Sequence, residues 1–278
     1  MAYTLMDGKA VANRLKEEIR SKVEKFARKP KLISLLMGDD PAVKTYVNSK
    51  RRISTEIGVN FESFNFPLSL SEEDLREKIL GFSKDKEIDG IILELPLPVN
   101  YNLEVLTGAI EPNKAVDCVN PVNLGLLVIG KPYFFPSTPL SIMRLLSEYS
   151  IKVAGKRAVV IGRSLIVGRP ISFMLLAENA TVTMCHSKTE DLPQITKEAD
   201  ILISAIGKPE MIDSSFVKEG AVVIDVGINF VNGEIVGDVK FDEVSKVSSH
   251  ITPVPGGVGA LTTIMLLRNT VEAYKMHT

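Results

Sequence analysis

Apolar positions along the chain follow two spacings that alternate from segment to segment. Val11, Leu15, Ile19, Val23 and Phe26 recur at three- and four-residue steps, so residues 7–28 are expected to form an amphipathic helix with Asp7 near its start. "KLISLLMG" (31–38) is a short apolar run bounded by turn residues and fits a buried strand. Residues 41–57 read as a helix, with Pro41 in its first turn and Gly58 just past its end. "NFESFNF" alternates as a strand does, and Ser71 with Asp74, ahead of Leu75, Ile79 and Phe82, opens another helix. A strand follows in "DGIILELPLPVN" (89–100). Residues 111–138, rich in Pro, Asn and Gly, show no clean period and read as a long irregular segment. From Pro139 the alternation resumes: a helix (139–149), the strand "RAVVIG", a helix from Gly168, then the strands "ATVTMC", "DILISAIG" and "AVVIDVG". The strongly apolar "LTTIMLLRNTVEAYKM" is expected to form a closing helix.

Strands alternating with helices imply parallel sheets with helices on both faces. The expected fold is therefore two α/β domains, 1–138 and 139–261, joined near residues 115–138.

Composition narrows the setting without changing that picture. The 278 residues are 45% hydrophobic and 24% charged, enough apolar material for a large core. Lys and Arg total 33 against 34 Asp and Glu, a balance that argues against a nucleic-acid partner. Two cysteines, Cys118 and Cys185, form no framework of paired spacings, which suits a reducing compartment. The start, "MAYTLMDGKAV", shows no basic leader with an apolar core, and no apolar run approaches the ~18 residues that span a bilayer. A cytoplasmic protein without a membrane partner is expected. His250 and His277 show no ligand spacing, so no metal is assigned.

Four places carry candidate chemistry. Glu94 sits among Ile91, Ile92, Leu93 and Leu95 at the end of a strand. Either the strand stops there and Glu94 meets water, or the carboxylate lines a site, since ligands of open α/β sheets bind beyond the carboxyl ends of strands. Tyr46 and Lys50 lie four apart and share a helix face, which suits surface decoration as well as a site. "VVIGRSLIVGRP" has the position of a dinucleotide turn with G-x-S-x-x-x-G spacing. Gly162 allows the turn, Ser164 can donate a hydroxyl, and the following helix offers free N–H groups to a pyrophosphate. The next strand ends in "CHSKT" rather than in the acid that binds an NAD ribose. His186, Ser187, Lys188 and Arg163 make a cationic corner suited to a 2′-phosphate, although solvated surface charge would look the same. NADP is the expected cofactor.

The combined motifs resemble the bifunctional methylenetetrahydrofolate dehydrogenase/cyclohydrolase family along nearly the whole chain. Y-V-x-x-K appears as Tyr46, Val47 and Lys50, and D-G-I-x-V-Q-L-P-L-P as "DGIILELPLP". G-R-S-x-x-V-G-x-P runs from Gly162 to Pro170, C-H-S-x-T from Cys185 to Thr189, and "TPVPGGVG" stands at 252–259. "VIDVGIN" and "GDVKF" match as well. The resemblance implies a folate-binding catalytic domain (1–138), with the helix 262–278 packing back on it, and a Rossmann-type NADP-binding domain (139–261) across a cleft. It implies catalytic roles for Lys50, Tyr46, Glu94 and Asp117, and folate contacts from Leu93 and Leu95 as well. Asp117 would accept from the pterin amino group and ring N–H. A loop of Pro255, Gly256, Gly257, Val258, Gly259, Thr262 and Thr263 would close on the substrate. Gly162, Arg163, Ser164, Ser187 and Ile228 would bind NADP. The implied reactions are oxidation of 5,10-methylenetetrahydrofolate and hydrolysis of the methenyl product to 10-formyltetrahydrofolate, in a homodimer formed through the cofactor domains.

The chain departs from the family pattern at four places. Glu94 replaces a glutamine, Val43 a serine, Cys118 a glycine, and "GALT" replaces G-P-M-T at 259–262. A carboxylate ~4 Å from the Lys50 ammonium attracts it by about 4 kcal/mol at an effective dielectric of ~20, before desolvation is counted. Glu94 is thus expected to face Lys50 and to weaken cyclohydrolase, or shift its pH dependence, more than dehydrogenase. Further readings are a dehydrogenase-only member, another two-domain NADP dehydrogenase, and an NADP-binding regulator without catalysis.

Overall fold

The computed structural model of the chain describes residues 3–278. The first two positions, part of the stretch read above for a leader, lie outside the described residues. A two-residue strand, β1 (Thr4–Leu5), leads to α1 (Gly8–Val23), whose start Asp7 caps by accepting from the Lys9 and Ala10 N–H groups. β2 (Lys31–Met37) is the apolar run, and α2 (Pro41–Ile57) begins where Asp40 accepts from the N–H groups of Ala42 and Val43. Gly58, left-handed at φ 81°, ends α2. β3 (Asn60–Phe66), α3 (Glu72–Lys84) capped by Ser71, and β4 (Gly90–Leu93) follow, then α4 (Leu103–Gly108), α5 (Pro121–Val128) and α6 (Ser137–Glu148). The later elements are β5 (Arg157–Ile161), α7 (Gly168–Ala177), β6 (Thr181–Cys185), α8 (Leu192–Thr196) and β7 (Ile201–Ser204). After a 3-10 turn (Ser214–Phe216) come β8 (Val222–Asp225), β9 (Asn229–Val231), β10 (Glu234–Val236), α9 (Phe241–Val244), β11 (His250–Ile251) and α10 (Gly259–His277).

The chain divides into two units. The first comprises Arg14–Ser137 and Thr263–Thr278. Its parallel sheet has the order β3-β2-β4, with Leu32 opposite both Phe61 and Gly90. β2 is central and its middle is buried, which is why it reads as a continuous apolar run instead of an alternating one. Ile33 and Leu35 pack with Leu75, Ile79 and Ile91 in one core. Ala115 bridges to Ile91, which lays the chain leading to Asp117 beside β4. Asn269 of α10 fixes that approach by donating to the carbonyls of Val116 and Phe135, each at 2.8 Å.

The second unit comprises the residues through Asn13 and Thr138–Thr262. Its six-stranded sheet, β1-β11-β8-β7-β5-β6, is parallel throughout, with a core that includes Val159, Ile161, Leu202, Val223 and Ile251. No helix among the described residues is long and apolar enough to cross a membrane.

Three sequence expectations need correction. Residues through Asn13 belong with the second unit, not the first, because Thr4 and Leu5 pair with His250 and Ile251 of β11. The segment 111–138 contains the helix α5; its run "PVNLGLLV", apolar but for the buried Asn123, shows no period, although Asn120 caps it and Pro121 starts it. Thr262 and Thr263 stand in the first turns of α10, which starts at Gly259, and not in a loop.

Candidate active site and cofactor loops

In the first unit the carboxyl end of β4 delivers Glu94. The strand ends at Leu93, but the Glu94 N–H still bonds the Leu35 carbonyl of β2 at 2.8 Å, so its side chain is aimed by the ladder. Glu94 is 7% exposed and does not point to water. Lys50, on the third turn of α2, donates to Glu94 Oε1 at 2.7 Å and to Oε2 at 2.6 Å, as the sequence hypothesis required. Ser34, fully buried at the centre of β2, donates its hydroxyl to Glu94 Oε1 at 2.6 Å. A buried charge is tolerated when it is paired and its lone pairs are satisfied, and three contacts do that here.

Asp117 lies close enough to this pair to feel both charges. Burial raises its carboxyl above the usual range, the Ser137 hydroxyl bond (2.7 Å to Oδ1) and the charge of Lys50 pull it back, and Glu94 pushes it up. The next residue, Cys118, is fully buried with a left-handed backbone (φ 60°), a conformation that costs a side-chain-bearing residue and suits the glycine of the family pattern. Burial, with Asp117 beside it, pushes the Cys118 thiol up to about 12, so it is no nucleophile at neutral pH. Tyr46 stands 48% exposed, one turn before Lys50 on the same helix face. Leu93 is buried and Leu95 half-buried.

In the second unit Gly162 ends β5 at φ 130°, and a Cβ there would lie 2.4 Å from the Ala205 carbonyl oxygen. A Cβ on Gly168 would lie 2.2 Å from the Gly162 oxygen, so glycines are required on both sides of this turn. Ser164 Oγ accepts from the N–H groups of Val167 (3.1 Å) and Gly168 (3.4 Å), which caps α7 and leaves its proton free to donate. Arg163 and Ser164 are exposed. At the end of β6, the Lys188 N–H bonds His186 Nδ1 at 3.2 Å and the His186 N–H bonds Thr189 Oγ1, curling "HSKT" into a tight turn with Ser187 and Lys188 exposed. β5 and β7 are neighbours, whereas β6 lies on the other side of β5, so Gly162 marks the topological switch point where such sheets bind ligands.

The segment 252–258 belongs to the same unit. Gly257 has no room for a side chain, since a Cβ would lie 2.5 Å from the Pro253 oxygen, and its own oxygen packs on Gly8. Gly256 is at φ 113°, Val258 is buried, and Pro255 and Gly259 are exposed. Ile228 stands 44% exposed between β8 and β9. Within each unit the expected residues are thus brought together: Lys50, Glu94 and Asp117 in one, and the Gly162 turn, Ser187 and Ile228 at strand ends of one sheet in the other. No group of three or more metal-ligating His, Cys, Asp or Glu occurs among the described residues. A cavity of about 400 Å³ opens at the amino ends of β7, β8 and β11, the edge of that sheet opposite the Gly162 turn, and Lys218 there is already paired with Asp200 at 2.6 Å.

Sequence reasoning passed over Ser34, Ser137 and Asn269. Ser34 carried a signal of the kind that flagged Glu94, a polar residue inside a buried strand. Ser137 and Asn269 carried none, because their partners lie 20 and 153 positions away.

Comparison with known proteins agrees with this geometry. Residues 6–117 match the model of the tetrahydrofolate dehydrogenase/cyclohydrolase catalytic domain, and residues 136–278 that of the NAD(P)-binding domain of the same family. A bifunctional FolD protein of Acetivibrio thermocellus is 46% identical over 99% of this chain and 98% of its own. The crystal structure of the bifunctional methylenetetrahydrofolate dehydrogenase/cyclohydrolase of Campylobacter jejuni superimposes with a TM-score of 0.97 at 44% identity, covering 100% of both chains. That of the Trypanosoma brucei enzyme, complexed with NADP cofactor and an inhibitor, has a TM-score of 0.93 at 36% identity, covering 99% of this chain and 98% of that one. With both of its halves matched in order and near-complete coverage on each side, the chain belongs to the tetrahydrofolate dehydrogenase/cyclohydrolase family.

Proposed function

We propose that the chain oxidises 5,10-methylenetetrahydrofolate with NADP and hydrolyses the resulting 5,10-methenyl cation to 10-formyltetrahydrofolate. The observation that carries this reading is the Lys50–Glu94–Ser34 cluster, held beside Asp117 at the carboxyl end of the first sheet. NADP suits the second unit, because Gly162 and Gly168 keep the turn free of side chains, α7 presents its amino terminus, and Arg163 and Lys188 can meet a 2′-phosphate. When bound it supplies the hydride acceptor for the methylene carbon.

The protein's own share is positioning and proton transfer. Asp117 accepts the pterin amino and ring N–H groups, fixing the folate, while Tyr46 lies along it from α2. In the second reaction water adds to the methenyl carbon and gives up one proton; the hydroxyl so formed gives up its own as it becomes the formyl carbonyl, while the bond from that carbon to N5 breaks and N5 takes one proton, so one proton is released overall. Lys50 receives the proton of the attacking water, which requires its free amine. Glu94, itself bonded by Ser34, holds the Lys50 amine at the strand end through two contacts.

We also propose a cytoplasmic homodimer joined through the second unit. Both cysteines are free thiols. Phe230, Val231 and Ile235 expose apolar surface on the β9–β10 hairpin, which supports that face, and sedimentation of a hairpin variant tests it.

One assay tests the activity: 5,10-methylenetetrahydrofolate with NADP or NAD, followed by the methenyl chromophore. Appearance with NADP and enzyme-accelerated decay is expected. Appearance without accelerated decay leaves a dehydrogenase alone, and no appearance with either cofactor rejects the reading.

A further inference from the structure

Two buried aspartates of the second unit have no part in the reactions above. Asp225, the last residue of β8, is 3% exposed, and Asp238 is fully buried. Asp238 Oδ2 accepts from the N–H groups of Ile206 (2.8 Å) and Gly207 (3.3 Å) and from Ser204 Oγ (3.1 Å). Its Oδ1 accepts from the Lys208 N–H (3.0 Å) and Asn229 Nδ2 (3.1 Å). Asp225 Oδ1 accepts from the N–H groups of Gly227 (2.9 Å) and Asp238 (3.0 Å), and its Oδ2 from Val239 (2.9 Å). The glycines nearby exist for this approach: a Cβ on Gly227 would lie 2.3 Å from Asp238 Oδ1, and one on Gly237 1.9 Å from Asp225 Oδ2.

These bonds hold two turns at the carboxyl ends of β7 and β8. Residues 205–208 are tied to Asp238, and Ala205 is the residue whose carbonyl packs on the Gly162 turn. In the other turn Ile228 is exposed between Gly227, tied to Asp225, and Asn229, tied to Asp238. The sheet order assigns a ligand half to each side of the switch point. The cationic "HSKT" turn at β6 takes the 2′-phosphate and its adenosine, so the far side, over β7 and β8, is left for the nicotinamide.

We propose that Asp225 and Asp238 are positioning residues that set the 205–208 and 226–229 turns as a shelf for the nicotinamide half of the dinucleotide. This rests on the NADP reading above. The test compares NADPH with adenosine 2′,5′-bisphosphate, a fragment that has the adenosine and 2′-phosphate but no nicotinamide. Binding of both is titrated to the full-length protein carrying Asp238→Asn or Asn229→Ala, and cyclohydrolase is assayed on methenyltetrahydrofolate without cofactor. Asp238→Asn is expected to weaken NADPH binding about tenfold or more, and Asn229→Ala about fivefold, with the fragment bound as in the wild type and cyclohydrolase unchanged. A general loss of structure would weaken both ligands and the cyclohydrolase together, and that result overturns the proposal, as does unaltered NADPH binding. If Asp238→Asn does not fold, Asn229→Ala, which removes only the bonds of Asn229 Nδ2 to Asp238 Oδ1 (3.1 Å) and the Val236 oxygen (3.4 Å), decides alone. Wild-type protein that binds neither ligand rejects the NADP reading itself and the shelf with it.

Discussion

The sheet β3-β2-β4 and the strands β6-β5-β7 are wound in the same order: a central strand first, its successor on one side, the next on the other. Each winding leaves a switch point at the carboxyl end of its central strand, where an open sheet can receive a ligand. The two crevices are furnished in opposite ways. In the first, charge is brought to the crevice: Lys50 and Glu94 pair at 2.6 Å, with Ser34 behind them. In the second the crevice is lined by backbone, kept bare at Gly162 and Gly168, and the carboxylates of Asp225 and Asp238 are turned inward to hold the loops. The same topology thus makes a place for a ligand twice, and the side chains set there decide between proton chemistry and dinucleotide binding.

Lys50→Met strikes the first crevice alone and has the largest expected effect. Cyclohydrolase is expected to fall by about 10²–10⁴. Unfolding in urea should show a loss of about 3 kcal/mol, because the buried Glu94 carboxylate loses its partner. NADPH binding, a property of the second sheet, should stay at the wild-type value. A variant that still accelerates methenyl decay would remove Lys50 from the mechanism.

The second crevice responds to protons through its inward-facing carboxylates. Burial, with Asp238 nearby, holds Asp225 up at about 7, against the pull of three backbone N–H bonds. The unfolded chain releases that proton near ~4, so between ~4 and 7 the folded state keeps a proton the unfolded state has lost. The stabilisation is complete below ~4 and lost as the pH rises through 7, on the order of 4 kcal/mol in all. Asp117 is displaced in the same direction. Urea unfolding at pH 5 and pH 7.5 should show a smaller difference for Asp225→Asn than for the wild type, whatever the variant's baseline. Equal slopes would exclude Asp225 as the titrating group.

The smallest expected change is also the most specific. Glu94→Gln keeps a group for Ser34 to bond and removes the negative charge facing Lys50. Cyclohydrolase near neutral pH should rise by about tenfold, while dehydrogenase changes less than about twofold. An unaltered cyclohydrolase pH profile would show that the charge of Glu94 does not govern Lys50.

Much of the molecule was legible in the sequence because many of its elements are long enough to carry a period. α2 has Asp40, Pro41 and Gly58 to mark its ends, and β2 and β4 are buried on both faces. β1, β11 and the β9–β10 hairpin, two or three residues each, are too short to show alternation. α5 was hidden by an apolar run with no polar face, although Asn120–Pro121 was an available start signal.

The two α/β halves, the glycine turn after β5, the cationic "HSKT" turn and the question of Glu94 can all be read along the chain, since each is local or repeats at a fixed spacing. Folding in three dimensions is what brings Glu94 to Lys50 and Ser34, Ser137 to Asp117, and Thr4 and Leu5 to the second sheet, and what turns Asp225 and Asp238 inward. Those contacts join residues 13 to 246 positions apart, and no local pattern encodes a pairing that exists only once the chain has closed around it.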